Sequence, residues 1–236
     1  MKRFAAVLAL TGMVAVPAMA GVSAPLPVGT VVQEAVYDVG MGGVRSGIVV
    51  YSDLTVSGFY LNAGSGATYP GPVGDDIHAT SGGTITEFKL GYNNAGTGTT
   101  FDLDVAFYGN DPTDTLVPPP APGTAPLLGS YTLTGLPVGA YILTVTGVSV
   151  PVGADFWFEA DYGTADVDVG PIITGDPGGA VGFSHDLYSQ DGFTWDLGGS
   201  PWADFVHEFS IVPEPAMISM LVVGGLLALG RRRRQS

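Results

Sequence analysis

The sequence predicts an all-β protein whose body is an antiparallel β-sandwich of jelly-roll-like topology. Three observations predict it: apolar residues alternate with a period of two, glycine- and proline-rich turns separate the alternating segments, and no body segment shows a helical repeat. The 236 residues include 36 glycines and 18 prolines. Short strands without intervening helices favour antiparallel pairing, because parallel strands need long crossover connections.

The clearest alternation is in TFDLDVAFYG, residues 100–109. One face holds large apolar residues, and the other holds Asp102, Asp104 and Tyr108 together with Ala106. The segments TITEFKLGY (84–92) and DFWFEADYG (155–163) alternate in the same way. Weaker alternation predicts further strands at 31–37, 48–54, 128–133, 141–145, 181–187 and 205–211.

Two of these segments predict which side chains face away from the core. In residues 84–92, Ile85 shares a face with Glu87 and Lys89. In residues 155–163, Trp157 shares a face with Glu159 and Asp161. Both faces carry charge, so we expect them to be in contact with solvent.

The N-terminus has the three parts of a secretory signal peptide. Lys2 and Arg3 are basic, residues 4–16 are almost entirely apolar, and Ala18-Met19-Ala20 fits the small-x-small cleavage pattern. Residues 1–20 are therefore predicted to be removed by signal peptidase between Ala20 and Gly21. The alternative is a membrane-spanning helix, which the shortness of the apolar run disfavours.

The C-terminal segment 213–236 combines a Pro-Glu-Pro triplet, an uncharged apolar run and an arginine cluster. As a helix, 216–230 would be about 22 Å long, short for a hydrocarbon core of about 30 Å. The arginines should stay on the cytoplasmic side. The sequence thus predicts a membrane anchor formed by a C-terminal transmembrane helix. The residues of the triplet and the cluster are Pro213, Glu214, Pro215, Arg231, Arg232, Arg233 and Arg234.

These features, in this order, resemble the PEP-CTERM sorting signal of Gram-negative bacteria. The resemblance implies that an exosortase recognises the tail and removes it, and that the protein reaches the cell surface or an exopolysaccharide matrix. The body is also similar, from 101 to 162, to other sandwich proteins that carry this signal. That similarity implies a fold and no chemistry. A plain single-span anchor without further processing is the alternative.

The body, residues 21–212, is strongly acidic. It contains 21 of the 22 acidic residues and only Arg45 and Lys89 as basic residues, which gives a formal charge of −19. Such a body repels phosphates, so nucleic acid is not an expected partner. The chain has no cysteine, so one domain of this length must be stabilised by apolar burial.

No catalytic constellation is identifiable in the sequence. Ser184 and His185 are adjacent, and neighbouring residues on a strand point to opposite faces. His78, His185 and His207 lack zinc-ligand spacing and are expected at the surface or at sheet edges. A glycosidase needs only two carboxylates, which this acidic chain supplies without specificity.

Calcium is the one ion that the composition favours, because calcium prefers oxygen ligands. The pairs Asp102/Asp104 and Asp166/Asp168 would each place two carboxylates on one strand face. Asp75-Asp76 is a third acidic cluster. An ordinary solvated acidic face is the alternative for each, and no other cofactor is expected.

The sequence therefore predicts a non-enzymatic surface or matrix protein with a structural or adhesive role. Trp157, Trp195 and Trp202 could stack on sugar rings if they are exposed. The expected partners are signal peptidase and exosortase, the membrane through the C-terminal helix before processing, and extracellular polysaccharide. The alternative is a secreted carbohydrate-active hydrolase. A cleft with two facing carboxylates would favour the enzyme, and a closed core with an aromatic patch would favour binding.

Overall fold

The computed structural model describes residues 23–40, 47–65, 67, 70–96, 100–109, 125–163, 168–174, 181–184, 188–190, 193–195 and 204–213. These residues form strands and connections without a helix, so none of them belongs to a helix capable of crossing a membrane. Several predicted features lie outside the described residues: the signal peptide, its Ala20–Gly21 junction, Glu214, Pro215, and the helix 216–230 with the arginine cluster.

The described part of the chain has fourteen strands. They are β1 Ser23–Pro25, β2 Gln33–Asp38, β3 Ile48–Asp53, β4 Val56–Leu61, β5 Pro72–His78, β6 Gly83–Asn94, β7 Phe101–Gly109, β8 Leu127–Leu136, β9 Gly139–Val152, β10 Asp155–Asp161, β11 Val169–Thr174, β12 Tyr188–Gln190, β13 Phe193–Trp195 and β14 His207–Val212.

The strands form two sheets. One has six strands in the order β13-β12-β5-β10-β7-β8. The other has eight strands: β1-β4-β11-β6-β14-β3 form its main path, and β9 pairs with both β6 and β2. The chain crosses repeatedly between the sheets, because β6, β9 and β11 lie in one and β7, β8 and β10 in the other. The all-β prediction is therefore confirmed.

An aromatic cluster holds the two sheets face to face. Phe88 of β6 lies 5.5 Å from Phe107 of β7 and 5.4 Å from Phe158 of β10, measured between ring centroids. Phe209 of β14 packs edge-on against Phe107 and Phe156 at 6.0 and 5.2 Å. All five rings are buried. Each contributes about 1.5–3 kcal/mol relative to exposure, so this cluster is the centre of a two-layer β-sandwich.

One strand pair departs from the predicted antiparallel arrangement. β2 pairs with β9 in parallel, with Gln33 opposite Tyr141 and Asp38 opposite Thr146. The other pairs among the described strands are antiparallel. Periodicity of two is the same for both orientations, so the sequence pattern carries no information about the direction of pairing.

A β-bulge changes the predicted face of Ile85. The register of β6 shifts between Ile85 and Glu87 against both β9 and β14, and Thr86 is the extra residue opposite β14. Ile85 is fully buried in the same core as Phe88. On the β9 side, Gly147 adopts a φ of 77°, a conformation that glycine reaches without a Cβ penalty. The prediction that Ile85 shares the outer face with Lys89 is wrong, because the extra residue reverses the alternation.

The strand predictions agree with the structure at all three clearly alternating segments, which form β6, β7 and β10, and at five of the six weaker ones. Strands β2, β3, β8, β9 and β14 overlap their predicted segments. Of the segment predicted at 181–187, the structure describes 181–184, in which Val181 and Phe183 form isolated bridges to Ser52 and His78. Six strands were not predicted: glycine or proline interrupts the alternation of β4, β5 and β11, and β1, β12 and β13 have only three residues each.

The backbone of β11 makes one unusually close contact. A Cβ on Gly170 would lie 1.7 Å from the carbonyl oxygen of Leu61 and 3.2 Å from the amide nitrogen of Ala63. The amides of Ala63 and Gly64 both donate to the carbonyl of Val169. Only a residue without a side chain fits beneath this turn.

Candidate functional site

An open groove of about 280 Å³ lies on the outer face of the six-stranded sheet, across β7, β8 and β10. Pairing between strands places its outward side chains in two rows that run across the strands. The rows are Thr132, Asp104 and Asp161, and Ser130, Ala106 and Glu159. The small side chain of Ala106 leaves space between neighbours, and Tyr108 follows it on the same face.

The protein fixes each of the three groove carboxylates through one oxygen. Thr132 Oγ1 donates to Asp104 Oδ1 at 2.5 Å, and the amide of Gly163 donates to Asp161 Oδ1 at 2.8 Å. Tyr108 donates its hydroxyl proton to Glu159 Oε1 at 3.3 Å. The carboxylates are thereby oriented, and one oxygen of each is left for a ligand.

Glu159 is the most perturbed acid in the groove. Burial raises the pKa of its carboxyl above the ordinary value, and the nearby Asp161 raises the pKa further, while the Tyr108 hydrogen bond lowers it. Burial and Glu159 in turn raise the pKa of the Tyr108 hydroxyl. The groove therefore concentrates negative charge that is only partly compensated within the protein.

The calcium candidates occupy two different settings. Asp102 and Asp104 are exposed on the outer face of β7, as predicted, and Asp102 Oδ1 accepts a hydrogen bond from the amide of Gly135. Asp168 does not lie on a strand: it precedes β11 with a φ of 66° and accepts a hydrogen bond from Asn62. Asp166 lies outside the described residues. Within the described part of the chain, no three His, Asp or Glu side chains are arranged to hold a metal ion, and calcium stays a prediction.

A second polar cluster is buried between the sheets. It brings together Asp75 of β5, His207 of β14, Tyr51 of β3 and the residues Asp204 and Ser184, all of them at most 5% exposed. The Tyr51 hydroxyl lies 3.1 Å from Ser184 Oγ and donates to Asp204 Oδ1 at 3.3 Å. The cluster is closed to substrates, so it is not a candidate active site.

Asp75 and Asp204 lie close together in this cluster, although neither oxygen of Asp75 has a hydrogen-bond partner. Two buried carboxyl groups this close cannot both be charged without a large cost. Burial and the charge of Asp76 raise the pKa of Asp75, while burial and Asp75 itself raise the pKa of Asp204. The pair therefore retains a proton to a higher pH than an isolated aspartate does.

His207 contributes no positive charge to this cluster at neutral pH. Its Nδ1 lies 3.3 Å from Asp75 Oδ2, within ion-pair distance. However, burial lowers the pKa of His207 to about 4, so the ring is neutral and the contact is not a salt bridge. The prediction that His207 lies at the surface or at a sheet edge is wrong, because β14 is an inner strand.

His78 binds two carboxylates at the end of β5. Its Nε2 lies 3.0 Å from Asp76 Oδ2 and its Nδ1 lies 2.9 Å from Asp155 Oδ1. The ring stacks on Phe183 at 4.3 Å between centroids. The hydrogen bond to Asp76 raises the pKa of His78 despite partial burial, and Asp155 raises it further. This contact ties β5, β10 and the segment 181–184 together.

No protein-family model, no curated protein and no solved structure matches this chain. The residues of the groove and the sequence signals at the two ends are therefore the features that bear on the function of the protein.

The structure describes two of the three tryptophans that were candidates for stacking on sugar rings. Trp157 is 1% exposed, so the condition of exposure is not met and this ring is not available to a sugar, although its neighbours on the same face, Glu159 and Asp161, do line the groove. Trp195 ends β13, and Trp202 lies outside the described residues. Tyr108, which the sequence placed beside Asp104 on the outer face, is the aromatic residue at the groove.

Proposed function

We propose that the protein is an exported, non-enzymatic surface or matrix protein that binds carbohydrate at the groove on its six-stranded sheet. The observation that supports this function most directly is the combination, in one open groove, of Tyr108, two hydroxyl-bearing side chains and three oriented carboxylates. Saccharides are recognised by hydrogen bonds to fixed polar groups together with packing on an aromatic ring. We also propose that the two sheets follow a jelly-roll-like topology.

The carbohydrate proposal predicts that Tyr108→Ala weakens glycan binding by about tenfold. The lost ring contact corresponds to about 0.5–1.5 kcal/mol, and about 1.4 kcal/mol is a factor of ten in affinity. The measurement is a glycan array on the full-length protein, with and without calcium, followed by titration of the best ligand. The control is Phe59→Ala, which removes an exposed ring from the other sheet. Absence of binding to any glycan would contradict the proposal.

Glu159 gives specific support to the alternative function, a carbohydrate-active hydrolase. Acid–base cleavage of a glycosidic bond requires two carboxyl groups, one of them with a raised pKa, and Glu159, whose pKa is raised, lies beside Asp161 and Asp104. The ligands found on the array therefore also serve as substrates in a reducing-end assay. Release of reducing ends that Glu159→Gln abolishes would replace the binding function with hydrolysis.

The two ends of the chain support the export proposal. In a host with an exosortase, the mature protein should begin at Gly21 and lack the tail that follows Pro213-Glu214-Pro215, because the sorting enzyme needs the extended triplet above the membrane. N-terminal sequencing and intact mass of each cell fraction measure this. Glu214→Ala should leave the protein in the inner membrane. A mature chain that keeps Met1 would contradict secretion, and an intact tail would leave only a plain anchor.

A further inference from the structure

We infer that the groove prefers an amino sugar in its positively charged, de-N-acetylated form, as found in glucosamine oligosaccharides. This inference rests on the carbohydrate function proposed above and names the class of sugar. It follows from the charge of the groove, from the way in which its carboxylates are held, and from the absence of compensating cations among the residues described around it.

The groove carries negative charge without a positive partner. Asp104, Glu159 and Asp161 line it, and the described residues around it include no lysine or arginine. Lys89, the one lysine or arginine in the described part of the chain, pairs with Glu208 at 2.8 Å on the eight-stranded sheet. A uronate-bearing glycan would place its own carboxylates against this charge and would be repelled.

The carboxylates are also arranged as acceptors for a multivalent donor. Hydrogen bonds from Thr132, Gly163 and Tyr108 occupy one oxygen of each group, so the remaining oxygens can accept protons from a ligand. An ammonium group supplies three donors and a positive charge. Such charge-assisted hydrogen bonds are stronger than neutral ones, and they would oppose the rise in the pKa of Glu159.

The other lining residues distinguish a sugar from a simple amine. Ser130 and Thr132 present hydroxyl groups and Tyr108 presents a ring beside the acids. A glucosamine unit has hydroxyl groups and an apolar ring face that match them, whereas a lysine chain has neither. The amine of the sugar therefore accounts for the preference for positive charge. The hydroxyl groups and apolar face of the sugar ring account for the preference for a saccharide.

The test is calorimetric titration of the full-length protein with four probes. These are a glucosamine oligosaccharide, an N-acetylglucosamine oligosaccharide of the same length, an oligogalacturonate with and without calcium, and polylysine of matched charge. We expect the glucosamine oligosaccharide to bind at least about tenfold more tightly than the acetylated one and than polylysine. Added salt should reduce this preference, because salt screens exposed charges.

Isosteric variants assign the preference to the groove. Glu159→Gln and Asp161→Asn each remove one charge and should each weaken glucosamine binding by about tenfold, with little effect on the acetylated ligand. Glu34→Gln is the matched control, since Glu34 is an exposed acid on β2 of the other sheet. Unchanged melting temperatures would show that the variants are folded.

The outcomes separate this inference from the function on which it rests. Equal or tighter binding of the acetylated sugar, or of galacturonate in calcium, would overturn the amino-sugar preference and leave carbohydrate binding intact. Equal binding of polylysine would show that the groove is a non-specific acidic surface, and this result would also overturn the inference. Failure of every oligosaccharide to bind would contradict both proposals.

Discussion

Gly170→Ala is expected to lower the free energy of unfolding by about 3 kcal/mol. The new Cβ would lie 1.7 Å from the carbonyl oxygen of Leu61, and that oxygen belongs to the backbone of a paired strand. Neither β11 nor the turn after β4 can move without breaking the hydrogen bonds from Ala63 and Gly64 to Val169. Chemical denaturation of both proteins, with a common slope, measures the loss.

Gly153→Ala is the matched control for this substitution. A Cβ at Gly153 would meet only Asp155, at 3.5 Å, which is ordinary van der Waals contact. Restricting the unfolded chain at such a position stabilises a protein by at most about 1 kcal/mol. Equal denaturation midpoints for the two variants would contradict the close packing of β11 beneath the turn.

Asp204→Ala is expected to destabilise the protein by about 3 kcal/mol at pH 8 and by less at pH 5. Burial raises the pKa of Asp75 and of Asp204, and Asp75 is fully buried. Without Asp204, Asp75 lies beside a neutral His207 and at pH 8 must either be charged in the core or bind a proton at a cost that rises with pH. At pH 5 the raised pKa of Asp75 allows it to bind a proton itself.

Asp204→Asn should retain most of the stability and should flatten its dependence on pH. The amide oxygen can accept the hydrogen bonds from Tyr51 and Phe205, and the amide nitrogen can donate to Asp75 at any pH. Urea denaturation from pH 5 to pH 9 compares the wild type with both variants. If the Ala and Asn variants lose the same stability at pH 8, no shared proton holds the two carboxyl groups together.

The sign of the wild-type pH dependence follows from proton counting. Asp75 and Asp204 have raised pKa values, so above about pH 4, where an unfolded aspartate releases its proton, the folded protein retains a proton that the unfolded chain has lost. Stability therefore falls as the pH rises through the raised pKa of the pair. His207, with its pKa lowered to about 4, acts in the opposite direction between pH 6.5 and 4.

Other titratable groups lie near the pair, and their contributions to the pH dependence of stability must be separated from that of the pair. Asp76 and Asp53 raise the pKa of Asp75, and the Tyr51 hydroxyl donates to Asp204. His78 has a raised pKa, so its stabilisation is complete below about pH 6.5 and is also lost as the pH rises. Because His78 is present in the wild type and in both Asp204 variants, differences between these proteins report the carboxyl pair alone.

The groove was largely predictable from the sequence, because its side chains follow local alternation. Asp104 and Tyr108 alternate with buried residues on β7, and Glu159 and Asp161 do the same on β10. Pairing of β7 with β10 then brings the two acidic faces together. The sequence predicted each face but not the pairing, which depends on the order of strands in the sheet.

The buried cluster could not be predicted, because its members come from distant parts of the chain. Asp75, Asp204 and His207 converge only when β5 of one sheet lies opposite β14 of the other. Trp157 shows the same limit: alternation placed it on the outer face, yet its side chain is covered. Periodicity predicts the side of a strand to which a side chain points, but the burial of that side chain also depends on what packs above the strand.

The position of β14 determines the order in which the eight-stranded sheet can be completed. β14 is the last strand that the structure describes, yet it pairs on one side with β6 and on the other with β3. Because the chain is synthesised from its N-terminus, β3 and β6 are made before β14 and keep unpaired edges until β14 arrives between them. Unpaired edges invite association with other chains. The chain is therefore most exposed to such association before β14 is in place.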